Sequence, residues 1–151
     1  MTVLWGVTAV LTLVLVAIAL IDLRSFRIPD VLSLPLIAAG IVGVPATTGV
    51  ALHDLVIGAM GGFGVFWAIG AWYFRRTGID GLGLGDAKLF AAAGAWLGWQ
   101  ALPMVLLIAA IGGIVQALLR GKAGRHTAIA FGPWLALGFW VIWIARIMAL
   151  G

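Results

Sequence analysis

The chain has 151 residues, of which 64% are hydrophobic and only 9% charged, and its mean hydropathy is +1.22. A soluble domain of this length cannot bury so much apolar surface, so the composition excludes a water-soluble globular fold and indicates a protein embedded in lipid. The length allows a single domain, covering 1–151. The chain contains no cysteine, which excludes disulfides, thiolate catalysis and cysteine-based zinc sites.

Six apolar runs predict an all-α integral membrane protein with six transmembrane helices. The runs cover residues 3–21, 31–48, 54–74, 86–100, 103–119 and 128–149. The first run lacks the preceding basic residues of a secretory signal and has nearly the ~20 residues of a spanning helix, so we expect it to be retained. The fourth run is short, because its residues rise only about 22 Å against about 30 Å of hydrocarbon. Either the bilayer thins there or this helix starts below the membrane surface.

The loops between these runs alternate between charged and nearly uncharged, and this alternation predicts the orientation. The first, third and fifth loops carry eight of the nine Lys and Arg residues: Arg24, Arg27, Arg75, Arg76, Lys88, Arg120, Lys122 and Arg125. By the positive-inside rule these loops face the cytoplasm, and the N-terminus and C-terminus both lie outside. Basic residues in short loops beside apolar spans indicate anionic lipid headgroups as partners rather than nucleic acid.

Two small-residue pairs and several tryptophans predict how the helices pack and where they meet the membrane surface. Gly58 with Gly62, and Gly94 with Gly98, are spaced four residues apart, which permits close helix contact. We expect the tryptophans to lie near the membrane interfaces, four at the outer one and two at the inner one: Trp5, Trp96, Trp99 and Trp143, then Trp72 and Trp134.

Two aspartates at the ends of apolar runs are the candidate catalytic residues. Asp22 ends the first run, and Asp86 begins the fourth run within the stretch GLGLGDAKL. Two intervening helices return the chain to the same side, so we expect the two carboxylates to meet. Ionisable groups at such positions are costly and are treated as functional. The alternating glycines Gly81, Gly83 and Gly85 let the backbone approach another chain or a substrate closely.

Two carboxylates held close together share one proton, because both cannot ionise cheaply. One carboxylate can then take a proton from water while the other donates a proton to the scissile carbonyl oxygen. This chemistry requires no metal or cofactor. The two histidines, His53 and His126, are predicted on opposite sides of the membrane, so we expect no metal site.

The segments DLRSFRIPD, from Asp22 to Asp30, and GLGLGDAKLFAAAGAWLGW, from Gly81, resemble the bacterial type IV prepilin peptidases. These are membrane aspartyl proteases of the GxGD type, and FGPWLALG at Phe131–Gly138 resembles the last helix of the family. The resemblance implies that Asp22 and Asp86 form the catalytic dyad. It also implies removal of the basic leader from prepilins or pseudopilins at the cytoplasmic face of the bacterial cytoplasmic (inner) membrane.

Many members of that family also carry an N-terminal region with paired cysteines and methylate the new N-terminus of the product. This chain has no cysteine, so we expect a short form that lacks this region. The resemblance therefore supports peptidase activity only, and does not extend to N-methyltransferase activity. It does not indicate which pilin or secretion system is served, or the oligomeric state.

Three further residues near the predicted dyad have open roles. Lys88 belongs to the family motif, but its position on the helix points away from Asp86, so we expect it to reach lipid headgroups, with a substrate contact as the alternative. Asp30 follows a proline and is expected at the start of the second helix. Pro133, preceded by Gly132, should open the sixth helix near the dyad, where we hypothesise that this Gly-Pro pair shapes the substrate cleft.

Two interpretations from other functional classes remain open at this point. A proton-coupled transporter also uses paired intramembrane carboxylates, but it predicts polar residues across the bilayer and broken helices at the midplane. A non-catalytic membrane scaffold for pilus or secretion assembly predicts that substitution of either aspartate is harmless.

Overall fold

The computed structural model describes residues 2–78, 83–120 and 130–150, and these residues form six α-helices without a strand. The helices are α1 (Thr2–Ser25), α2 (Asp30–Thr48), α3 (Leu52–Thr77), α4 (Leu84–Leu97), α5 (Leu102–Arg120) and α6 (Gly132–Leu150). The six predicted helices are therefore confirmed. All except α4 are long and apolar enough to cross a membrane, so the chain is a multi-pass membrane protein.

The short fourth helix lies at the centre of the bundle. From Ala87 to Leu97 every residue of α4 except Lys88 is buried, and α2, α3, α5 and α6 all contact it. A helix surrounded by other helices must be apolar on all sides, and the small residues of AAAGA let four neighbours approach it. The prediction that Asp86 begins this helix is wrong by two residues, because α4 starts at Leu84 with Gly83 as its N-cap.

Glycines determine how closely α3 approaches α4, as the small-residue pairs predict. A Cβ added to Gly58 would lie 2.6 Å from the carbonyl oxygen of Gly94, and one added to Gly62 would lie 2.9 Å from that of Phe90. The reverse contact, from a Cβ on Gly94 to the carbonyl of Gly58, is closer still. Gly98 has a further reason to be glycine, because its φ of +78° lies in the left-handed region at the end of α4.

Buried indoles connect the outer helices to the rest of the bundle. The Nε1–H of Trp143 in α6 donates to Thr8 Oγ1 in α1 at 3.0 Å, and that of Trp96 in α4 donates to the carbonyl of Leu36 in α2 at 2.8 Å. Both indoles are buried, so they pack inside the bundle, and the predicted depth of Trp96 and Trp143 near the outer interface stays a prediction. An indole N–H inside an apolar bundle needs an acceptor there, since no water is present to supply one.

Arg146 in α6, the one basic residue outside the predicted basic loops, caps the C-terminus of α4. Its guanidinium donates to the carbonyl of Leu97 at 2.7 Å and to that of Trp96 at 3.3 Å. The last carbonyls of a helix lack intrahelical donors and carry partial negative charge, which favours a cation there. The cap secures α4 at the end of the helix opposite Asp86.

Candidate active site

The fold brings Asp22 and Asp86 into one cavity. Asp22 lies near the end of α1, Asp86 lies in the first turn of α4, and both line a cavity of about 270 Å³. The two carboxylates lie close enough for their charges to interact. The remaining lining residues come from the α1–α2 connection and the two neighbouring helix starts: Phe26, Arg27, Ile28, Asp30, Gly83, Leu84, Gly85 and Lys88.

Asp22 is buried against the start of α6. Only 5% of the residue is exposed, and its Oδ2 accepts a hydrogen bond from the backbone N–H of Gly132 at 3.1 Å. Gly132 is the first residue of α6, where N–H groups lack intrahelical acceptors and the helix dipole favours negative charge. The carboxylate therefore has a defined orientation toward the cavity.

Gly132, which the sequence predicts with Pro133 to open the sixth helix near the dyad, contacts Asp22 directly. A Cβ there would lie 2.6 Å from Asp22 Oδ2 and 3.1 Å from Ile28 Cδ1, so the position has no room for a side chain. Neither Gly132 nor Pro133 is among the described residues that line the cavity, so a role of Pro133 in shaping the substrate cleft stays a prediction. The Gly-Pro dipeptide marked a helix start, but nothing local indicated which carboxylate this start would meet.

Asp86 is oriented by its own helix. Gly83, the N-cap of α4, accepts a hydrogen bond from the backbone N–H of Asp86 at 3.1 Å, and the backbone N–H of Gly83 donates to the Asp86 carboxylate. In a capping box, too, an acidic side chain three residues after the cap accepts from the backbone N–H of the cap residue. Each aspartate of the pair is thus oriented by a backbone N–H from a helix start.

The predicted roles of the three glycines before Asp86 differ in the structure. A Cβ on Gly85 would lie 2.9 Å from Ile28 Cβ and 3.2 Å from the Ile28 nitrogen, so Gly85 admits the α1–α2 connection of the same chain. Gly83 has no comparable crowding, because its nearest such contact is Asp86 Oδ2 at 3.6 Å. Gly81 lies outside the described residues. Contact of these glycines with a substrate stays a prediction.

Lys88 pairs with Asp30 across the cavity wall. Its Nζ donates to Asp30 Oδ1 at 2.6 Å, which joins α4 to the first turn of α2. The expectation that Lys88 reaches lipid headgroups is therefore wrong, whereas Asp30 lies at the start of α2 as predicted. The Asp30 side chain is 57% exposed, so the pair contributes at most about 1 kcal/mol to stability.

Phe26, the residue that follows α1, has an unusual backbone conformation. Its φ of +51° is the one positive value found for a non-glycine residue in the described ranges, and its N–H donates to the carbonyl of Asp22 at 2.9 Å. A left-handed residue at this point closes the helix, although the conformation costs a non-glycine residue about 1–2 kcal/mol. The turn places the half-exposed phenyl ring of Phe26 at the cavity, next to the aspartate pair.

The lining restricts the chemistry of the cavity. Its volume of about 270 Å³ accommodates several waters at about 30 Å³ each, or a water together with a peptide group. No Ser, Thr, Cys or His is found among the described lining residues. General acid–base catalysis by the two carboxylates is therefore the chemistry that the described part of this cavity supports.

Comparison with known proteins agrees with the resemblance seen in the sequence. The prepilin leader peptidase/N-methyltransferase of Escherichia coli (strain K12) is 50% identical to this chain over 125 residues, which cover 80% of this chain and 55% of that protein. The protein of the same name from Pectobacterium carotovorum subsp. carotovorum is 46% identical over 139 residues, which cover 89% of this chain and 49% of that protein. The chain spans about half the length of these curated relatives. No solved structure matches it significantly. Because residues 9–118, which include both aspartates, match the family model, the chain belongs to the type IV leader peptidase family.

Proposed function

We propose that this protein is a membrane aspartyl endopeptidase that removes the basic leader peptide from type IV prepilins or pseudopilins. The observation that carries the proposal is the shared cavity of Asp22 and Asp86, which come from distant segments of the chain. Family membership and the names of the relatives support the same substrate class. The proposal is limited to the peptidase reaction, because general acid–base hydrolysis is the chemistry that an aspartate pair supports.

The proposed mechanism moves protons between water, the two carboxylates and the peptide. The aspartate pair begins with one shared proton. The unprotonated carboxylate takes a proton from water as the water oxygen attacks the scissile carbonyl carbon, and the protonated carboxylate donates its proton to the carbonyl oxygen. As the resulting diol collapses and the C–N bond breaks, the protonated carboxylate donates its proton to the departing amine nitrogen. The other carboxylate accepts a proton from a hydroxyl of the diol, so the pair again holds one proton. The N–H groups of Gly132 and Gly83 orient the two carboxylates throughout.

The cavity is proposed to face the cytoplasm of a bacterial cell, in the cytoplasmic membrane. Arg24 and Arg27 lie beside it in sequence and space, and Arg75 and Arg76 end α3 on the same side of the bundle. This concentration of basic residues supports a cytoplasmic orientation by the positive-inside rule. Both termini would then lie outside, at the opposite face of the membrane.

The direct test measures cleavage of a prepilin-type substrate in membranes by the wild type, Asp22→Asn and Asp86→Asn. We expect each substitution to lower kcat/KM at least about 100-fold, since a positioned acid or base contributes roughly 10²–10⁴. Asp54→Asn is the matched control, because Asp54 starts α3 at the other end of the bundle, where it accepts a hydrogen bond from Trp99. Full activity in either dyad variant, with normal expression and membrane insertion, would exclude the two-carboxylate mechanism.

The same experiment separates the proposal from its alternatives. A scaffold predicts no cleavage by the wild type and no effect of either substitution on assembly. A transporter requires polar groups across the membrane, whereas the described acidic residues lie at helix ends: Asp22, Asp30 and Asp86 at one end and Asp54 at the other. The distribution of acids therefore favours the peptidase.

A further inference from the structure

A second and larger cavity opens between α1 and α2. It has a volume of about 690 Å³ and is lined by six residues of α1, from Val3 to Val14, nine residues of α2, from Val31 to Thr47, and Trp96 of α4. The lining is almost entirely apolar. The gap exists because α1 packs mainly on α6 and α2 packs mainly on α4, so the two helices diverge. We call this cavity the α1–α2 groove.

The groove has the length of several helical turns. Its α1 wall extends about 16 Å from Val3 to Val14, and its α2 wall about 24 Å from Val31 to Thr47, at 1.5 Å per residue. Its floor is rigid, because the indole of Trp96 is buried and donates to a backbone carbonyl of α2. These dimensions fit one face of a transmembrane helix.

The walls carry small residues that have no helix against them. Ala39 and Gly43 lie four residues apart on α2, and Gly6 lies on α1. A Cβ on Gly6 or Gly43 would meet no atom within 4 Å, whereas Gly58 of α3 is filled by the backbone of α4. Small residues at this spacing let another helix approach closely. The groove therefore offers the same type of contact that α3 makes with α4, without a partner in the described chain.

The α2 wall of the groove begins beside the candidate active site. Asp30 lines the dyad cavity, and Val31, the next residue, lines the groove. A polypeptide with its scissile bond at the dyad must continue into the bilayer, and in lipid that continuation must be helical because only a helix satisfies its own backbone. The apolar walls match the side chains that such a helix exposes. A lipid acyl chain would fit the apolar lining but would not use the small-residue spacing.

We propose that the α1–α2 groove is the docking site for the apolar helix of the substrate, the segment that follows the scissile bond. The inference rests on the proposed function. Docking in the groove aligns this helix with α1 and α2 and presents its cytoplasmic end to Asp22 and Asp86. The groove then determines affinity for membrane-embedded substrates, and the dyad determines the rate of cleavage.

The first test fills the groove and compares two substrates. Gly43→Phe places a large side chain in the groove, and Gly61→Phe is the matched control, because Gly61 is an exposed glycine of α3 that also has no atom within 4 Å of an added Cβ. We expect Gly43→Phe to raise KM for a membrane-embedded prepilin at least about tenfold with kcat nearly unchanged, since losing a helix contact costs about 1.4 kcal/mol or more. A short peptide across the scissile bond, without the helix, should be cleaved by both variants as by the wild type. Equal KM values for the embedded substrate in the two variants would overturn the proposal.

The second test does not depend on catalysis. In the Asp86→Asn background, Val42→Cys introduces the only cysteine into the protein, on the groove wall where Val42 is 78% exposed. Met60→Cys is the control on α3, where Met60 is 72% exposed. A substrate cysteine about 12 residues after the scissile bond should reach the depth of Val42, about 18 Å beyond Asp30. After addition of a mild thiol oxidant such as a copper(II) chelate, we expect a disulfide with Val42→Cys and not with Met60→Cys.

The two tests distinguish failure of the groove from failure of the proposed function. Crosslinking at Val42→Cys while the wild type cleaves no substrate would support the docking site and contradict the peptidase. Cleavage by the wild type, without selective crosslinking and with no effect of Gly43→Phe, would support the peptidase and assign the groove to lipid, which overturns the inference.

Discussion

Substitution of Gly132 by alanine tests how the start of α6 orients Asp22. The added methyl carbon would lie 2.6 Å from Asp22 Oδ2 and 2.9 Å from its Cγ, so the carboxylate must move away from the Gly132 N–H. Alanine otherwise favours a helix over glycine by about 1 kcal/mol, so lower helix propensity cannot account for a defect. Loss of a hydrogen bond to a charged group costs about 1.5–3 kcal/mol. We therefore expect kcat to fall roughly 10- to 150-fold, at 1.36 kcal/mol for each factor of ten.

The assay compares kcat and KM for prepilin cleavage in membranes with thermal stability in detergent. The matched control is Gly113→Ala in α5, because a Cβ there would meet Phe131 at an ordinary 3.5 Å. A positioning role for Gly132 predicts a lower kcat with little change in KM, whereas a general packing defect predicts a lower melting temperature. Wild-type kcat in Gly132→Ala, or a fall in kcat that matches that of Gly113→Ala, would refute the reasoning.

Two further predictions concern packing and orientation. Gly94→Ala should lower the free energy of unfolding by about 1–3 kcal/mol, because its methyl group would overlap the carbonyl of Gly58. Thermal melting measures the difference, with Gly61→Ala as the control because a Cβ at Gly61 would lie in open space. Equal melting temperatures for the two variants would contradict the close contact of α3 and α4. By the positive-inside rule Ser25 lies on the cytoplasmic side and Thr48 on the outer side. An impermeant thiol reagent should therefore label Ser25→Cys only in inverted vesicles and Thr48→Cys only in intact cells. The reverse pattern would overturn the orientation.

The linear order of residues was sufficient to predict the helices and the two aspartates. Each helix is an apolar run bounded by charge, glycine or proline, and lipid imposes this pattern because every backbone group must be paired within the segment. The contact of α3 with α4 was also predictable, since Gly58, Gly62 and Gly94 have the spacing that close helix packing requires. The meeting of Asp22 and Asp86 followed from the even number of intervening helices.

The tertiary structure alone decided the details of the site. Gly132 meets Asp22 across 110 positions in the chain, and such a contact depends on where α6 packs, which no local pattern specifies. The same reason explains why Lys88 pairs with Asp30 rather than reaching lipid, and why the indole of Trp96 is buried against α2. Amphipathic and charged side chains have several acceptable environments, and only the neighbouring helices select one. Apolar runs in the linear order of residues indicate which segments are able to cross the membrane and which carboxylates are available, whereas helix packing determines which backbone groups orient those carboxylates.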